Sequence, residues 1–506
     1  MASPLLPSLL AGLAATALWT ASIVIYRIYF HPLSSIPGPP LAAATRLYAF
    51  YYNIIKGGTF YLEIERLHKI YGPVVRIAPN EVHLSDPSNY DKIYSIGGKF
   101  YKDSVFYSGT GDEYSAFATI SNEDHRRRRA PLESFFSRRA VLDLEGVVRD
   151  KVAKLCALVQ DGINKQQGRA VVDLHAALRA VSMDVITEYA FDSCWDQLDQ
   201  KDLGEWFSEM GRNVGVSFWV FQQFPFLLGA MKALPVWVAR RLGPAMSDML
   251  DCQDRGRRLV EEISRNVEKG LKPRRRTIFH NLLDPEVKVS AAHPRPSVEH
   301  MVGEAFAILT AASDTTGNAM TVAAYHVITD PKVYGKLKAE LAEVDDGEMS
   351  FTRLERLPYL TGVVKEGLRL AYGVIGRLPR VVPQGGATFN GFHLPEGTVV
   401  GMSSYLMHRN PDAFPNPALF EPERWINTDP EASRAMKACL VPFSRGSRGC
   451  IGQNLAMCEM YLALGTLFRR IPNLAAQDVG ELTYVDYFTA HHGEERQKLK
   501  VFRQPS

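Results

Sequence analysis

One cysteine in a glycine-rich turn constrains this chain more than any other feature. Residues 443–452 read Phe-Ser-Arg-Gly-Ser-Arg-Gly-Cys-Ile-Gly and place Cys450 directly before an amphipathic helical pattern. A thiolate at a helix N-terminus is stabilised by backbone N–H groups and by the helix dipole. The glycines let the backbone turn tightly against a flat partner, and Arg448 can supply a cation to an acidic group on that partner. Most lone cysteines are buried and inert, but these neighbours indicate a ligand site.

This stretch resembles the cysteine-ligand loop of the cytochrome P-450 family, the haem-thiolate monooxygenases. The family pattern is Phe-x-x-Gly-x-Arg-x-Cys-x-Gly, and the chain fills each fixed position with Phe443, Gly446, Arg448, Cys450 and Gly452. The resemblance implies a haem b cofactor whose iron takes Cys450 as its axial ligand. It also implies that Arg448 pairs with a haem propionate and that Phe443 packs beside the thiolate. A cysteine ligand of this kind favours cleavage of the O–O bond.

Composition sets the broad class of the protein. The chain has 506 residues, of which 46% are hydrophobic and 22% charged, with a net charge of +3. These values are typical of a globular protein with an ample core, and they argue against a disordered or nucleic-acid-binding protein. The six cysteines include no Cys-x-x-Cys pair, so neither a disulfide framework nor a zinc site is indicated.

The N-terminus is predicted to be a membrane anchor. Residues 1–26 contain no charged side chain, and about 20 apolar residues suffice to span a bilayer. Arg27 follows the run and places the rest of the chain on the cytoplasmic side. A secretory signal peptide is the alternative, but a basic segment before the apolar run is missing and a proline-rich hinge follows. We therefore expect an anchor over residues 1–30 and a catalytic domain over residues 31–506.

The remaining pattern predicts a mainly α domain with a small β region. Residues 60–71 have a helical pattern that stops at a Gly-Pro pair, and residues 74–78 and 81–84 are typical of a β-hairpin. Residues 99–120 are predicted to form a loop, and residues 150–290 are mainly helical in pattern. The resemblance implies the cytochrome P-450 fold, with the 99–120 loop over the haem.

A basic cluster follows that loop. His125 and Arg129 are four positions apart and share one face of a predicted helix, so both can donate to carboxylates. The family carries Trp-x-x-x-Arg here, facing the propionates, and His125 takes the tryptophan position. The resemblance therefore implies that both residues contact the haem. Arg126–Arg128 point elsewhere and are expected to contribute to a positive surface for an acidic electron donor.

A long helix is predicted to begin at the N-cap Ser297 and to end near residue 330. Its middle carries Asp314 and Thr315 within Ala-Ala-Ser-Asp-Thr-Thr, which resembles the family's oxygen-activating motif with Ala312 in place of the usual glycine. A threonine whose intrahelical bond is perturbed can position water, and the adjacent acid can relay protons. The alternative is a hydroxyl that bonds to the carbonyl of its own helix.

Two further motifs support the cysteine loop. Glu366 and Arg369 form a Glu-x-x-Arg pair, and Arg424 follows at family spacing, so the resemblance implies a buried structural network of these three residues. In the next segment Arg377 is the preferred propionate contact, with Arg380 as the alternative. Segments that the resemblance places near the substrate are residues 214–237 as a mobile lid, Ala307, Thr310, Ala311, Val374, Ile375 and residues 484–489.

The segments 125–132 and 368–380 resemble those of fungal secondary-metabolism members of the family and are similar to the trichodiene oxygenase-like group. The resemblance implies hydroxylation or epoxidation of an apolar terpenoid, polyketide or alkaloid intermediate at the endoplasmic reticulum membrane. Electrons would come from NADPH through a separate cytochrome P-450 reductase, because the chain has no nucleotide-binding glycine loop. Two alternatives stay open: a haem-thiolate isomerase or dehydratase that needs no reductase, and a non-catalytic membrane-anchored binding protein.

Overall fold

The structure is a computed structural model that describes residues 5–165, 172–284, 296–477, 480–493 and 499–503. Residues 1–4 of the predicted anchor lie outside these ranges. The helices are α1 (Leu5–Ile25), α2 (Pro40–Ala44), α3 (Leu47–Phe50), α4 (Phe60–Tyr71), α5 (Tyr90–Ile93), α6 (Ser104–Tyr107), α7 (Asn122–Glu133), α8 (Arg138–Lys165), α9 (Leu174–Phe191), α10 (Glu205–Gln223), α11 (Pro225–Lys232), α12 (Val236–Ala239), α13 (Pro244–Glu268), α14 (Ile278–Leu283), α15 (Val298–Thr329), α16 (Pro331–Ala342), α17 (Phe351–Leu354), α18 (Pro358–Ala371), α19 (Ser404–His408), α20 (Pro430–Cys439) and α21 (Gln453–Arg470).

The strands are short, which confirms the prediction of a mainly α protein with a small β region. They are β1 (Val74–Ala78), β2 (Glu81–Leu84), β3 (Tyr101–Lys102), β4 (Val172–Asp173), β5 (Arg380–Val381), β6 (Ala387–Phe389), β7 (Phe392–Leu394), β8 (Val399–Gly401), β9 (Leu474–Ala476), β10 (Tyr484–Tyr487), β11 (Thr489–His492) and β12 (Lys500–Arg503).

Local signals account for several of these elements. Helix α4 and strands β1 and β2 have the predicted bounds. Gly72 ends α4 with a φ of 89°, a conformation that glycine adopts without strain. Helix α15 begins after Ser297, whose side chain accepts the N–H of His300. The predicted N-cap is therefore confirmed, since this oxygen satisfies one of the unpaired N–H groups at the helix start.

The core is organised around α15. This helix has 32 residues, a length of about 48 Å at 1.5 Å per residue. It packs against α9, α13, α18 and α21. Residues 317–324 are all buried, so the helix passes through the interior with neighbours on every side.

The largest sheet brings distant segments together. Its strand order is β1-β2-β8-β5-β3, with β2 and β8 parallel and the other neighbours antiparallel. Strands β3 and β5 place Lys102 opposite Arg380. A separate hairpin joins β10 to β11. The sheet therefore fixes two cations side by side although 278 positions of sequence numbering separate residue 102 from residue 380.

One helical stretch in the described residues is long and apolar enough to cross a membrane. It runs from Ser8 to Phe30, has a mean hydropathy of 1.8 and is not buried. Helices α10 and α11 meet at an angle of 113°, and together they would form a second such stretch if the bent pair counted as one span. Length and composition at the N-terminus thus match the predicted anchor.

Candidate active site

The cysteine loop joins α20 to α21. The Cys450 N–H donates to the Phe443 carbonyl at 2.8 Å and closes the loop. Gly446 has a φ of 71°, and a Cβ at this position would lie 2.5 Å from backbone atoms of Ser95. Only glycine fits such a contact. Because α21 begins one residue after Gly452, the thiol lies at the N-terminal end of that helix.

Cys450 lies in a buried environment, although the residue keeps some exposed surface. Burial raises the pKa of the Cys450 thiol, and the Gly452 N–H and the positive charge of Arg129 oppose this effect. The residue nevertheless has exposed surface, and so does Ala311 in the middle of α15. Neighbouring side chains therefore leave both residues uncovered, on the loop in one case and on the central helix in the other.

Five basic side chains converge beside the cysteine loop and are called the cationic cluster here: Lys102, His125, Arg129, Arg380 and Arg448. They influence one another electrostatically. Burial and the neighbouring cations lower the pKa of His125 to about 3 and that of Arg448 to about 10. Burial, Arg380 and Arg448 lower the pKa of Lys102 well below its usual range. A cavity of about 350 Å³ is lined by all members of the cluster except Lys102.

The partners of the cationic cluster are mostly neutral. Arg448 donates to the carbonyls of residues 119 and 120 at 2.6 and 2.7 Å, and Arg380 donates to the Tyr107 hydroxyl at 2.9 Å. Lys102 donates to the Phe117 carbonyl. Among the described residues, Glu133 is the one carboxylate within ion-pair distance of the cluster, 3.0 Å from Arg129, and its side chain is 60% exposed.

The cationic cluster fits a ligand that carries carboxylates. Buried like charges are costly unless a counter-charge neutralises them. Haem b has two propionates for such a cluster and an iron that accepts a cysteine thiolate. Cys450 and the cationic cluster are therefore the residues that would hold haem b. The predicted site residues His125, Arg129, Arg448 and Cys450 are brought together in this way.

Arg377 lies away from the cationic cluster. This position corrects the prediction that Arg377, and not Arg380, is the propionate contact. The Arg377 guanidinium pairs with Glu81 and lies over the rings of Phe106 and Trp219. Arg380, the alternative, lines the cavity with His125 and Arg448. The chain is extended here, since residue 377 pairs with residue 403 and residue 380 pairs with residue 400, both in antiparallel register. Side chains three residues apart in an extended chain point to opposite faces.

The predicted network behind the loop is confirmed. Both guanidinium nitrogens of Arg369 that face Glu366 bond to its carboxylate, at 2.8 and 2.7 Å, and Arg424 approaches it to 3.3 Å. Arg369 and Glu366 are fully buried. His408 accepts the Val441 N–H at 2.9 Å and bonds to the Arg369 carbonyl at 2.8 Å. The network is thereby connected to the segment that leads into the cysteine loop.

Asp314 is buried on the side of α15 that faces α9 and α10. Its carboxylate lies 3.4 Å from the Arg179 guanidinium, and a Cβ at Gly211 would lie 2.5 Å from it. Burial raises the pKa of the Asp314 carboxyl, and Arg179 opposes the change. The carboxyl is thus held in a confined position where it can take up a proton more readily than an exposed aspartate.

The Thr315 hydroxyl bonds to a carbonyl of its own helix, as the alternative interpretation of this motif predicts. It donates to the Ala311 carbonyl at 2.8 Å, and α15 continues without a break from Val298–Thr329. The perturbed intrahelical bond that the oxygen-activating interpretation assigns to this threonine is therefore not seen. Thr315 itself is partly exposed, in contrast to its buried neighbour Asp314. The acid and the hydroxyl belong to consecutive residues, which project about 100° apart around the helix, and they thus occupy different environments.

Two site residues were missed from the sequence. Arg179 is an isolated arginine in α9, whose side chains are almost all buried, and a buried arginine in an apolar helix signals an acidic partner. Lys102 gives no such signal, because it lies in a stretch predicted as a loop and reaches the cluster through the pairing of β3 with β5. Only the fold could reveal its position.

The predicted substrate segments meet in an aromatic cluster, defined by Phe106, Phe218, Trp219 and Phe488. Phe218 lies 5.1 Å from Phe106 and 5.0 Å from Phe488 between ring centroids. These residues come from the 99–120 loop, from α10 and from the turn between β10 and β11. Ile375 is fully buried in a neighbouring cluster. The structure therefore brings the 214–237 and 484–489 segments into direct contact.

Comparisons with known proteins agree with this geometry. The model of the cytochrome P450 family matches residues 37–478. The chain is 38% identical over 485 residues to the cytochrome P450 monooxygenase MO6277 of Ascocoryne sarcoides, covering 92% of each chain. It is 36% identical to conidiogenone synthase PchP450 of Penicillium rubens, with 89% of each covered. It is 37% identical to N-acetyltryptophan 6-hydroxylase ivoC of Emericella nidulans, covering 90% of this chain and 89% of that one.

Solved structures show the same fold. The crystal structure of the cytochrome P450 CYP102L1 superimposes with a TM-score of 0.70 at 18% identity, over 93% of this chain and 99% of that one. The cytochrome P450DA heme domain gives a TM-score of 0.71 at 19% identity, over 93% and 98%. With its cysteine loop, cationic cluster and relatives, the chain belongs to the cytochrome P450 family and is a monooxygenase, an oxidoreductase with haem b as its cofactor.

Proposed function

We propose that this protein oxidises an apolar intermediate of secondary metabolism, a terpenoid, polyketide or alkaloid, by hydroxylation or epoxidation. The observation that carries the proposal is the aromatic cluster, in which the predicted substrate segments meet, because aromatic side chains bind an apolar skeleton. Its relatives include a conidiogenone synthase and an N-acetyltryptophan 6-hydroxylase, both of fungi. Bound haem supplies the activation of dioxygen, from which one oxygen atom enters the substrate.

Residues of this chain divide the remaining tasks. Cys450 is the thiolate ligand, with Phe443, Gly446 and Gly452 shaping its loop. Arg380, Arg448, Arg129 and His125 hold the propionates. Asp314, buried against Arg179, takes up and releases protons on the far side of α15. Thr315 positions the water through which those protons pass. A hydroxyl that already bonds to the Ala311 carbonyl keeps its lone pairs free to accept a hydrogen bond from that water.

Electrons come from NADPH through a separate cytochrome P-450 reductase, and we place its docking surface near the cysteine loop. Arg126 is exposed there and lines the cavity. Arg128, predicted for the same surface, instead donates to the Glu113 and Tyr114 carbonyls. Arg127 pairs with Asp124 within its own helix. Arg126 is accordingly the residue of the three that best suits an acidic partner.

The N-terminal helix anchors the protein in the endoplasmic reticulum membrane in this proposal, as a single span over residues 1–30. The catalytic domain, residues 31–506, lies on the cytoplasmic side. The unburied stretch Ser8–Phe30 supports the span. Exposed apolar side chains of α11 and α12, among them Phe226 and Trp237, support a second contact with lipid.

The proposal is tested with Thr315→Ala in the complete enzyme with its reductase. Candidate pathway intermediates are screened by mass spectrometry, and product formed is divided by NADPH consumed. The variant should bind haem, consume NADPH and release more peroxide, while product formation falls by about 10²–10⁴-fold, the usual effect of losing a positioned proton-transfer group. Thr329→Ala is the matched control, because Thr329 makes the same bond to its helix carbonyl at an exposed end of α15.

An unchanged ratio in Thr315→Ala would remove this residue from the mechanism. Wild-type turnover without reductase and NADPH would favour the isomerase or dehydratase alternative. A preparation that folds and never takes up haem would support the non-catalytic binding protein instead.

A further inference from the structure

The apolar N-terminal helix leads directly into a segment that is packed on the catalytic domain. The helix continues beyond α1 as a π-helical turn over Tyr26–Phe30. In the residues that follow, Leu33 is fully buried and Ile36 is 5% exposed. Both belong to the apolar cluster that contains buried side chains of β1, β2 and β8. The chain that enters the proline-rich hinge therefore has a fixed place on the largest sheet.

One buried arginine of β1, Arg76, ties this segment to the sheet. Its guanidinium donates to the Arg27 carbonyl at 2.8 Å and to the Pro79 carbonyl at 2.7 Å. Its backbone N–H donates to the Pro37 carbonyl at 2.8 Å, and a Cβ at Gly38 would lie 2.4 Å from the Arg76 carbonyl oxygen. A single strand residue thus contacts both the end of the N-terminal helix and the hinge.

Arg27 makes a second link between the helix and the domain. Its guanidinium donates at 2.7 Å to the carbonyl of Ala44, the last residue of α2. The His31 N–H donates to the Tyr26 carbonyl at 2.8 Å and closes the last helical turn. The helix end is therefore bonded to β1 through a carbonyl and to α2 through a side chain.

The charge of Arg76 is suited to this position. The residue is 2% exposed, and its side-chain hydrogen bonds within the described part of the chain go to the carbonyls of residues 27, 33 and 79. Burial and the neighbouring Arg27 lower the pKa of Arg76, since burying a charge without a counter-charge is costly. The carbonyl end of a helix carries a partial negative charge that attracts a cation. Arg76 supplies that cation from the catalytic domain.

We propose that Arg76 fixes the N-terminal helix to strand β1, so that the helix and the catalytic domain move as one body on the membrane. This inference rests on the proposed function, in which residues 1–30 span the bilayer. A flexible tether would let the domain rotate freely at the membrane surface. A fixed helix instead sets the angle of the domain and thereby decides which of its faces meets lipid.

Double electron–electron resonance on the full-length, haem-loaded enzyme in phosphatidylcholine nanodiscs tests the inference. Spin labels are attached through Leu18→Cys in the N-terminal helix and Ile70→Cys on α4, whose native side chains are 70% and 57% exposed. Cys194→Ser removes a half-buried native cysteine, and the haem iron occupies Cys450. A flexible coil over residues 31–46 would spread the distance between the labels over about 20 Å. The native junction should give one distribution no wider than the motion of the label side chains.

The variant Arg76→Gln should broaden this distribution towards the roughly 20 Å of a flexible coil, because the helix end loses the charged donor that holds its carbonyl. Arg66→Gln is the control, since Arg66 pairs with Glu63 at the surface of α4, and it should leave the distribution unchanged. Haem uptake shows that each variant is folded. Should Arg76→Gln not take up haem, Arg27→Gln replaces it, because that change removes the link to Ala44 and leaves β1 intact.

A native junction as broad as a flexible coil would overturn the inference without any variant. A distribution that stays equally narrow in the folded variant would overturn it as well. An enzyme that does not stay with the nanodiscs would refute the anchor and this inference with it, whereas a broad distribution in a nanodisc-bound enzyme refutes this inference alone. The distances need neither reductase nor NADPH, so their outcome is separate from the Thr315 turnover ratio.

Discussion

Two groups of buried charges support the cysteine loop, and they differ in how their charges are neutralised. In the Glu366 network, each guanidinium faces a carboxylate, and Trp425 donates to Glu366 as well. In the cationic cluster, Arg448 and Arg380 donate to backbone carbonyls and a hydroxyl. The Glu366 network, in which the charges neutralise one another, has a structural role. The cationic cluster, in which positive charge is concentrated around a cavity, is suited to an anionic ligand.

The difference shows how structural and binding residues can be told apart in one protein. Arginine residues occur in both groups, and all are largely buried. What separates them is the partner: Arg369 has a carboxylate fixed by its own helix three residues away, whereas Arg448 has none among the described residues. Variants of the first group should therefore affect folding, and variants of the second should affect retention of haem.

The largest effect on stability is expected for Glu366→Gln. This change leaves Arg369 and Arg424 buried without their counter-charge and should lower the free energy of unfolding by about 3–5 kcal/mol. Urea denaturation measures the change. Glu133→Gln is the control, because Glu133 pairs with Arg129 at the surface and should alter stability by about 0.5 kcal/mol or less. A loss below about 1 kcal/mol for Glu366→Gln would contradict the structural role of the network.

A smaller effect, on haem retention, is expected for the cationic cluster. Arg448→Gln and Arg380→Gln each remove a charged donor and should speed transfer of haem to a scavenger protein by about tenfold or more. Arg377→Gln is the contrasting variant, since Arg377 pairs with Glu81 away from the cavity. Equal haem loss in all three variants would show that the comparison between Arg377 and Arg380 is mistaken.

The smallest effect concerns the dependence of stability on pH through His125. Its pKa is lowered to about 3 from an ordinary value of 6.5, so the unfolded chain binds a proton that the folded chain rejects. Stability from this group is present above pH 6.5 and is lost as the pH falls towards 3. His125→Gln should therefore lose less stability than the wild type between pH 7 and pH 5 in urea titrations. Identical slopes would exclude a neutral His125.

Much of the architecture follows from local sequence. The Gly-Pro stop after residue 71, the hairpin pattern of β1 and β2, and the Ser297 cap each depend on neighbours in the chain, and each was predicted at the observed position. The cysteine loop is also local, because its turn and the following helix start within ten residues. The Glu366–Arg369 pair is set by helix periodicity alone.

The remaining features depend on contacts between distant segments. Choosing between Arg377 and Arg380 requires the register of β5 against β3 and β8, which no single stretch encodes. Arg179 reaches Asp314 because α9 packs on α15. The bond from Thr315 to its own helix was an open alternative, since a hydroxyl can satisfy itself locally or hold water. Such choices are settled by packing.

The central claim is that Cys450 binds the haem iron beside the cationic cluster. It is tested most directly by the absorption spectrum of the reduced, carbon monoxide-bound enzyme. Cys450→Ala should lose the red-shifted Soret band that a thiolate ligand gives. Cys458→Ala, which removes a fully buried cysteine two turns along α21, should keep it. A Cys450→Ala enzyme that retains the thiolate band would contradict the assignment.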